Sequence, residues 1–114
     1  MSEEKKDLGP TSTGMQANIA GLLCYLVGFI TGIVFYLVEK NNKFVRFHAM
    51  QSIIAFGFLF VMATLLPWIP VIGWILTPVL WVVNLVLWIV LMIKAYQGEL
   101  FKLPIAGDIA EKNS

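Results

Sequence analysis

The sequence predicts an all-α, polytopic membrane protein with three transmembrane helices and a short interfacial segment near the C-terminal end. Two observations predict this class. No Asp, Glu, Lys or Arg occurs between Ala49 and Ile93, whereas one crossing of a hydrocarbon layer about 30 Å thick takes only roughly 20 helical residues. The 114-residue chain is also 59% hydrophobic and 13% charged, with a mean hydropathy of +0.81. A soluble domain of this size does not bury so much apolar surface.

Residues 1–14 are predicted to form a mobile tail that precedes a single membrane domain at residues 15–112. The tail has too few apolar side chains to offset the entropy that is lost when a chain becomes ordered. Its three acidic residues dilute its two lysines, so it lacks the basic region of a cleavable signal peptide.

The first span is predicted at residues 15–38 and ends at a charged loop that begins with Glu39. Small residues recur along this span at intervals of four and three, at Ala17, Gly21, Cys24, Gly28 and Thr31. The spacing puts them on one smooth helix face, and Gly28 with Gly32 adds a GxxxG pair that favours close helix approach. The face packs either against the other spans or against a second copy or partner helix. The helix-packing candidates are Ala17, Gly21, Cys24, Gly28 and Gly32.

The second and third spans are predicted at residues 49–66 and 73–94, and together they form a helical hairpin. Pro67 and Pro70 lie between them, and two residues without a backbone donor indicate a tight reversal. In the third span Trp81, Asn84 and Trp88 share one helix face. We expect the Asn84 amide to make a polar contact between helices near these indoles; the alternative is contact with a substrate or an ion.

Residues 44–52, with the sequence Phe-Val-Arg-Phe-His-Ala-Met-Gln-Ser, carry the most polar chemistry at a predicted membrane boundary. We expect Arg46 to reach lipid phosphate, and His48 and Gln51 to hydrogen-bond at the level of the headgroups. Arg46, His48 and Gln51 are therefore candidate lipid or partner contacts. A ligand-binding or catalytic role for the same residues is the alternative.

These motifs resemble a family of small prokaryotic membrane proteins that is grouped with the protein-import component of the chloroplast inner-envelope Tic complex. The resemblance is carried by Leu23-Cys24-Tyr25-Leu26, Gly28, Thr31-Gly32, Glu39-Lys40, residues 44–52, Lys102-Leu103-Pro104 and Gly107-Asp108-Ile109-Ala110. It implies a link to protein translocation, without a catalytic signature.

Residues 98–112 are too polar to span a membrane and too apolar to remain in water, so we expect them to lie on the membrane surface. A three-span topology puts the tail before the first span and the proline turn on one side, with two basic residues. The loop near Lys43 and the C-terminal segment share the other side, with six basic residues. This asymmetry favours an N-terminus outside the cell membrane and a C-terminus in the cytoplasm.

Charge and cysteine content narrow the function. A formal net charge of +1 provides no basic field, so no nucleic-acid partner is expected. Cys24 is the only cysteine and His48 the only histidine. No residue pair therefore suggests a metal site or catalytic triad, and we expect neither a cofactor nor an enzymatic activity.

The function that the sequence favours is that of a non-catalytic membrane subunit or scaffold. Its expected partners are the lipid bilayer and a second copy of the chain or another membrane protein. The alternative is a small oligomeric channel or carrier, because three helices do not surround a pore on their own. The absence of charged residues within the spans argues against ion-coupled transport.

Overall fold

The computed structural model describes residues 9–114, and within them the chain is all-helical. This confirms the all-α class, while the predicted mobility of residues 1–8 lies outside the described part. Five α-helices and one short 3-10 turn at Leu66–Trp68 follow one another. The α-helices are α1 (Ala17–Leu26), α2 (Phe29–Val38), α3 (Lys43–Leu65), α4 (Ile72–Tyr96) and α5 (Ala106–Lys112).

Two segments of the described chain are long and apolar enough to cross a membrane. They are Lys43–Trp68, which contains α3, and Ile72–Tyr96, which is α4, and they match the predicted second and third spans. The segment that contains α3 begins six residues earlier than predicted because the Asn42 side chain caps the helix, accepting a hydrogen bond from the Val45 N–H at 3.1 Å.

The predicted first span is not one helix. Val27 and Gly28 separate α1 from α2, and each of these helices has ten residues, or about 15 Å of length. Gly28 has φ +60° and ψ −137°, a conformation that residues with a side chain rarely adopt. The Thr31 hydroxyl donates to the Cys24 carbonyl at 3.2 Å and accepts from the Val27 N–H at 3.2 Å. Ten residues reach about halfway through a hydrocarbon layer, so a third transmembrane helix is not confirmed.

Helices α1 and α2 fold back on each other as a hairpin. At its open end, the Ser12 N–H donates to both carboxylate oxygens of Glu39, at 2.9 and 2.8 Å. The residues before α1 therefore lie beside the residue that follows α2. Asn18 in the first turn of α1 donates to the Tyr96 carbonyl at the end of α4, whereas the Trp88 indole, two turns earlier in α4, reaches the Tyr25 carbonyl near the bend.

The hairpin changes which segments share an end of the molecule. Residues 9–12, the loop at 39–42 and the C-terminal segment 98–114 are bonded together at one end, and the proline turn at 66–71 forms the other. The three-span topology expected the N-terminal tail beside the proline turn instead. The difference arises because the bend at Gly28 returns the chain to its starting side. The basic residues in the described part all belong to the first end: Lys40, Lys43, Arg46, Lys94, Lys102 and Lys112.

Small residues allow the hairpin to pack closely on α3. A Cβ atom on Gly21 would lie 2.8 Å from the Phe44 ring, and one on Gly32 would lie 2.9 Å from the Ala49 carbonyl oxygen and from the Ser52 side chain. The other helix-packing candidates divide between burial and the bend: Ala17 and Cys24 are buried on α1, and Gly28 forms the bend. The predicted face thus meets other helices of the same chain.

The same four-residue turn motif begins α4 and α5. In Pro70-Val71-Ile72-Gly73 and Pro104-Ile105-Ala106-Gly107, the residue after proline has φ +66° or +67° and ψ −68° or −58°. The N–H of the next residue donates to the proline carbonyl at 2.7 Å in each case, which closes a γ-turn. Neither glycine has room for a Cβ atom: one at Gly73 would collide with the Leu66 carbonyl, and one at Gly107 would lie 2.5 Å from the Lys102 Cβ.

Candidate functional site

The polar residues of segment 44–52 are mostly inside the protein. The first turns of α3 pack against the α1–α2 hairpin, and residues 99–103 cross over them. The His48, Gln51 and Ser52 side chains are 0% exposed. Within the described residues, other parts of the chain therefore cover these three side chains.

Hydrogen bonds assign the tautomer of His48. Its Nε2 lies 2.8 Å from the Glu99 carbonyl oxygen, which only accepts, so Nε2 carries the hydrogen. In the neutral ring Nδ1 is then the acceptor, and the Tyr25 hydroxyl at 2.7 Å donates to it. Both nitrogens of the imidazole are bonded within the chain.

Gln51 continues the same network. Its Nε2 donates to the Tyr25 hydroxyl oxygen at 3.0 Å and to the Phe101 carbonyl at 2.8 Å, and its Oε1 accepts from the Leu103 N–H at 2.8 Å. Three side chains thus hold three backbone groups of the segment that follows α4. We call this network the tail latch; it consists of Tyr25, His48 and Gln51 with the backbone of Glu99, Phe101 and Leu103.

Arg46 donates to backbone carbonyls at the end of α2 and at Ser114. Its Nη1 donates to the carbonyls of Tyr36 and Glu39 at 3.1 and 2.8 Å, where α2 ends, and its guanidinium lies 4.1 Å from the centre of the Tyr36 ring. A cation at the last carbonyls of a helix satisfies acceptors that have no partner within the helix. Its Nε also donates to the Ser114 carbonyl at 3.2 Å, so Arg46 joins α2 to the C-terminus.

Glu39 organises the loop between α2 and α3, a role that sequence reasoning missed because the residue was taken only as the end of a span. Its carboxylate accepts from the N–H groups of Ser12, Asn41 and Asn42. Burial raises the pKa of this carboxyl, but the Ser12, Asn42 and Asn41 hydrogen bonds outweigh burial and hold the pKa below its usual value. The sequence did contain a signal for this loop, because two asparagines before an apolar run are typical of a helix N-terminus and Asn42 caps α3.

A second feature is an apolar cleft of about 700 Å³ between α3, α4 and the bend of the hairpin. Its lining includes five aromatic residues and one amide: Phe29, Phe56, Phe60, Trp81, Trp88 and Asn84. The Trp88 indole donates to the Tyr25 and Leu26 carbonyls at 2.7 and 3.3 Å. Within residues 9–114 the Asn84 side chain has no hydrogen-bond partner, so these residues do not form the expected polar contact of Asn84.

No group of three or more His, Cys, Asp or Glu side chains that could hold a metal ion occurs among residues 9–114.

Comparison with known proteins gives a consistent set of relatives. A model of the magnetosome magnetite crystal formation protein family matches residues 10–110. A UPF0132 membrane protein of Methanocaldococcus jannaschii is 56% identical over 107 residues, which are 94% of this chain and 96% of the relative. A UPF0132 membrane protein of Archaeoglobus fulgidus is 51% identical over 98 residues, which are 86% of this chain and 95% of the relative. No solved structure matches.

These relatives correct the family resemblance drawn from the sequence. Residues 44–52 and the other quoted motifs lie almost entirely within the matched region, and the family found there is not the Tic-type import family. The resemblance to the chloroplast import component is therefore wrong. The link to protein translocation depended on it and loses its support.

Proposed function

Because this chain is a membrane protein that belongs to the magnetosome magnetite crystal formation protein family, we propose that it is a multi-pass, non-catalytic subunit. It acts by assembling with itself or with another membrane protein. The reference to magnetite crystals belongs to the name of the family, and we do not transfer it to this chain. The proposal draws instead on membrane residence and on the use that this chain makes of its polar groups.

The observation that carries the proposal is the tail latch. His48, Gln51 and Tyr25 are the residues that a substrate or proton would be expected to use, yet their donors and acceptors are bonded to one another and to the backbone of residues 99–103. Catalytic and transport groups need free positions toward a substrate. A closed network of this kind supports a structural role.

In the proposed topology, α3 and α4 cross the membrane. The α1–α2 hairpin enters the membrane and returns to the same side without crossing it. Non-helical backbone is tolerated at membrane depth where protein covers it, and the Gly28 carbonyl accepts from the Ser52 hydroxyl at 2.8 Å. All six basic residues of the described part lie at the end that carries residues 9–12 and 98–114. The positive-inside rule therefore favours cytoplasmic N- and C-termini.

Cysteine labelling tests this topology. In a Cys24→Ala background, single cysteines replace Thr13, Trp68 or Lys112, and a membrane-impermeant maleimide is applied to intact cells and to inverted vesicles. We expect T13C and K112C to react only in inverted vesicles and W68C only in intact cells. Reaction of T13C and W68C from the same side would restore the three-span topology.

Reconstitution tests the function. Purified protein in phospholipid vesicles should leave ion and solute fluxes at the level of protein-free vesicles. A flux that changes in Asn84→Leu or His48→Ala would replace the subunit proposal with the channel or carrier. The cleft beside Asn84 is the feature that favours this second candidate.

A further inference from the structure

Asn84 lies at the midpoint of α4, twelve residues from each helix end. At 1.5 Å per residue it is about 18 Å from either end, which puts its amide near the middle of the hydrocarbon layer. Acyl chains have no donor or acceptor at that depth. An amide without a partner there is unfavourable, because no water replaces the missing hydrogen bonds.

The serine and threonine hydroxyls of α3 and α4 already have partners, and the Ser52 hydroxyl donates to the Gly28 carbonyl at 2.8 Å. Thr64 donates to the Phe60 carbonyl at 2.9 Å, and Thr77 donates to the Gly73 carbonyl at 2.6 Å. Among residues 9–114, Asn84 is thus an amide of α4 whose donor and acceptor groups are both open toward the cleft, where the Trp81 indole N–H also has no partner. Its partner must come from outside residues 9–114.

The surface around Asn84 also lacks packing partners. In the most apolar stretch of α4 only 6% of residues are buried, compared with 28% in the corresponding stretch of α3. Trp81 and Leu85, which flank Asn84 on the cleft side, are 57% and 52% exposed. The bend of the α1–α2 hairpin contacts α4 at Trp88, about one helical turn away from Asn84, and leaves this face exposed.

A second copy of the chain supplies the missing partner. A primary amide donates and accepts, so two of them are complementary to each other. A two-fold axis along the membrane normal puts the same residue of both copies at the same depth, and an isologous contact joins each residue to its own counterpart. We propose that the chain dimerises along α4, with a hydrogen bond between the two Asn84 amides. This inference rests on the proposed function and names the partner.

Substitution of Asn84 tests the pairing. The monomer–dimer equilibrium is measured by energy transfer between labelled copies that are diluted in phosphatidylcholine and phosphatidylglycerol vesicles. Asn84→Leu should weaken dimerisation about 5- to 30-fold, as expected for one interhelical polar contact in a membrane. Val86→Leu, about 200° around the helix, is the control and should match the unmodified protein. Equal dimerisation of the Asn84→Leu variant and the unmodified protein would overturn the proposal.

Disulfide crosslinking gives a second readout that does not depend on affinity. In a Cys24→Ala background, Asn84→Cys should form a disulfide-linked dimer on oxidation, and Val86→Cys should not. Absence of the N84C crosslink, or equal crosslinking of both variants, contradicts a two-fold contact at Asn84.

The outcomes separate this inference from the proposed function. A monomer that is still captured in cells with another membrane protein overturns the dimer and leaves the subunit proposal standing. A monomer that moves solutes across vesicles overturns both. Native mass spectrometry adds one arm: a monomer that carries one lipid molecule, lost in Asn84→Leu, replaces the second copy with a lipid.

Discussion

The tail latch predicts that Gln51 controls access to the peptide bond between Lys102 and Leu103. The Leu103 N–H of that bond donates to Gln51 Oε1, and the Phe101 carbonyl accepts from Gln51 Nε2. Trypsin requires local opening of the chain before it cleaves. In Gln51→Leu both tail hydrogen bonds are lost, while the apolar bulk of the side chain is kept.

Each lost bond is worth about 1 kcal/mol, so opening becomes easier by roughly 2 kcal/mol. Since 1.4 kcal/mol corresponds to a factor of ten, cleavage after Lys102 should be roughly 30-fold faster. The assay is limited trypsin digestion in mild detergent, with the cut at Lys102 followed by mass spectrometry. Gln97→Leu makes the same chemical change at an exposed position and should not alter the rate.

An unchanged rate in Gln51→Leu would refute the reasoning, because the two backbone bonds would then not hold the tail. Equal acceleration in Gln97→Leu would refute it in another way. It would mean that any loss of a glutamine near the end of α4 loosens the tail.

Three further predictions follow from the same structure. The pKa of Glu39 is lower in the folded than in the unfolded state. Its contribution to stability is therefore present above a pH of about 4.3 and is lost as the pH falls through the folded pKa. Thermal melts at several pH values should show a weaker pH dependence of stability in Glu39→Gln than in the unmodified protein. Gly32→Leu should destabilise the fold by about 1–3 kcal/mol through overpacking, whereas Gly57→Ala, with open space at its Cβ, should stabilise it by about 0.5–1 kcal/mol, both measured by denaturant unfolding in detergent. Val71→Gly should relieve the positive φ and stabilise the fold by about 1 kcal/mol, whereas Val79→Gly inside α4 should destabilise it by a similar amount in the same assay.

The two long apolar helices were predictable because their signal is local. The absence of charge between Ala49 and Ile93 and the prolines at 67 and 70 define two apolar helices and their turn without reference to the rest of the chain. The division of residues 15–38 was not predictable in this way. Apolar residues continue on both sides of Gly28, and a glycine in a small-residue stripe has the same appearance whether it packs a helix or ends one.

The site could be found from the sequence only in part. The sequence singles out Arg46, His48 and Gln51 as polar residues beside an apolar run, and their contact with lipid or a partner stays a prediction. Each of them has at least one partner that is a backbone group about fifty to seventy residues further along the chain. Every residue carries such groups, so no pattern of side chains reveals which of them will meet Gln51. The same limit applies to Asn84, whose missing partner becomes visible only when its neighbours are in place.

In the proposed topology, the α1–α2 hairpin reaches about half the membrane depth and gives the molecule unequal widths in the two leaflets. Four helical segments, α1, α2, α3 and α4, then fill the half that carries residues 9–12 and 98–114, and only α3 and α4 continue toward the proline turn. A body of this shape is conical, and it fits best where the leaflet around its wider end is stretched. We expect the protein to concentrate on strongly curved bilayers in one orientation. Its surface density on small and large vesicles would reveal this preference.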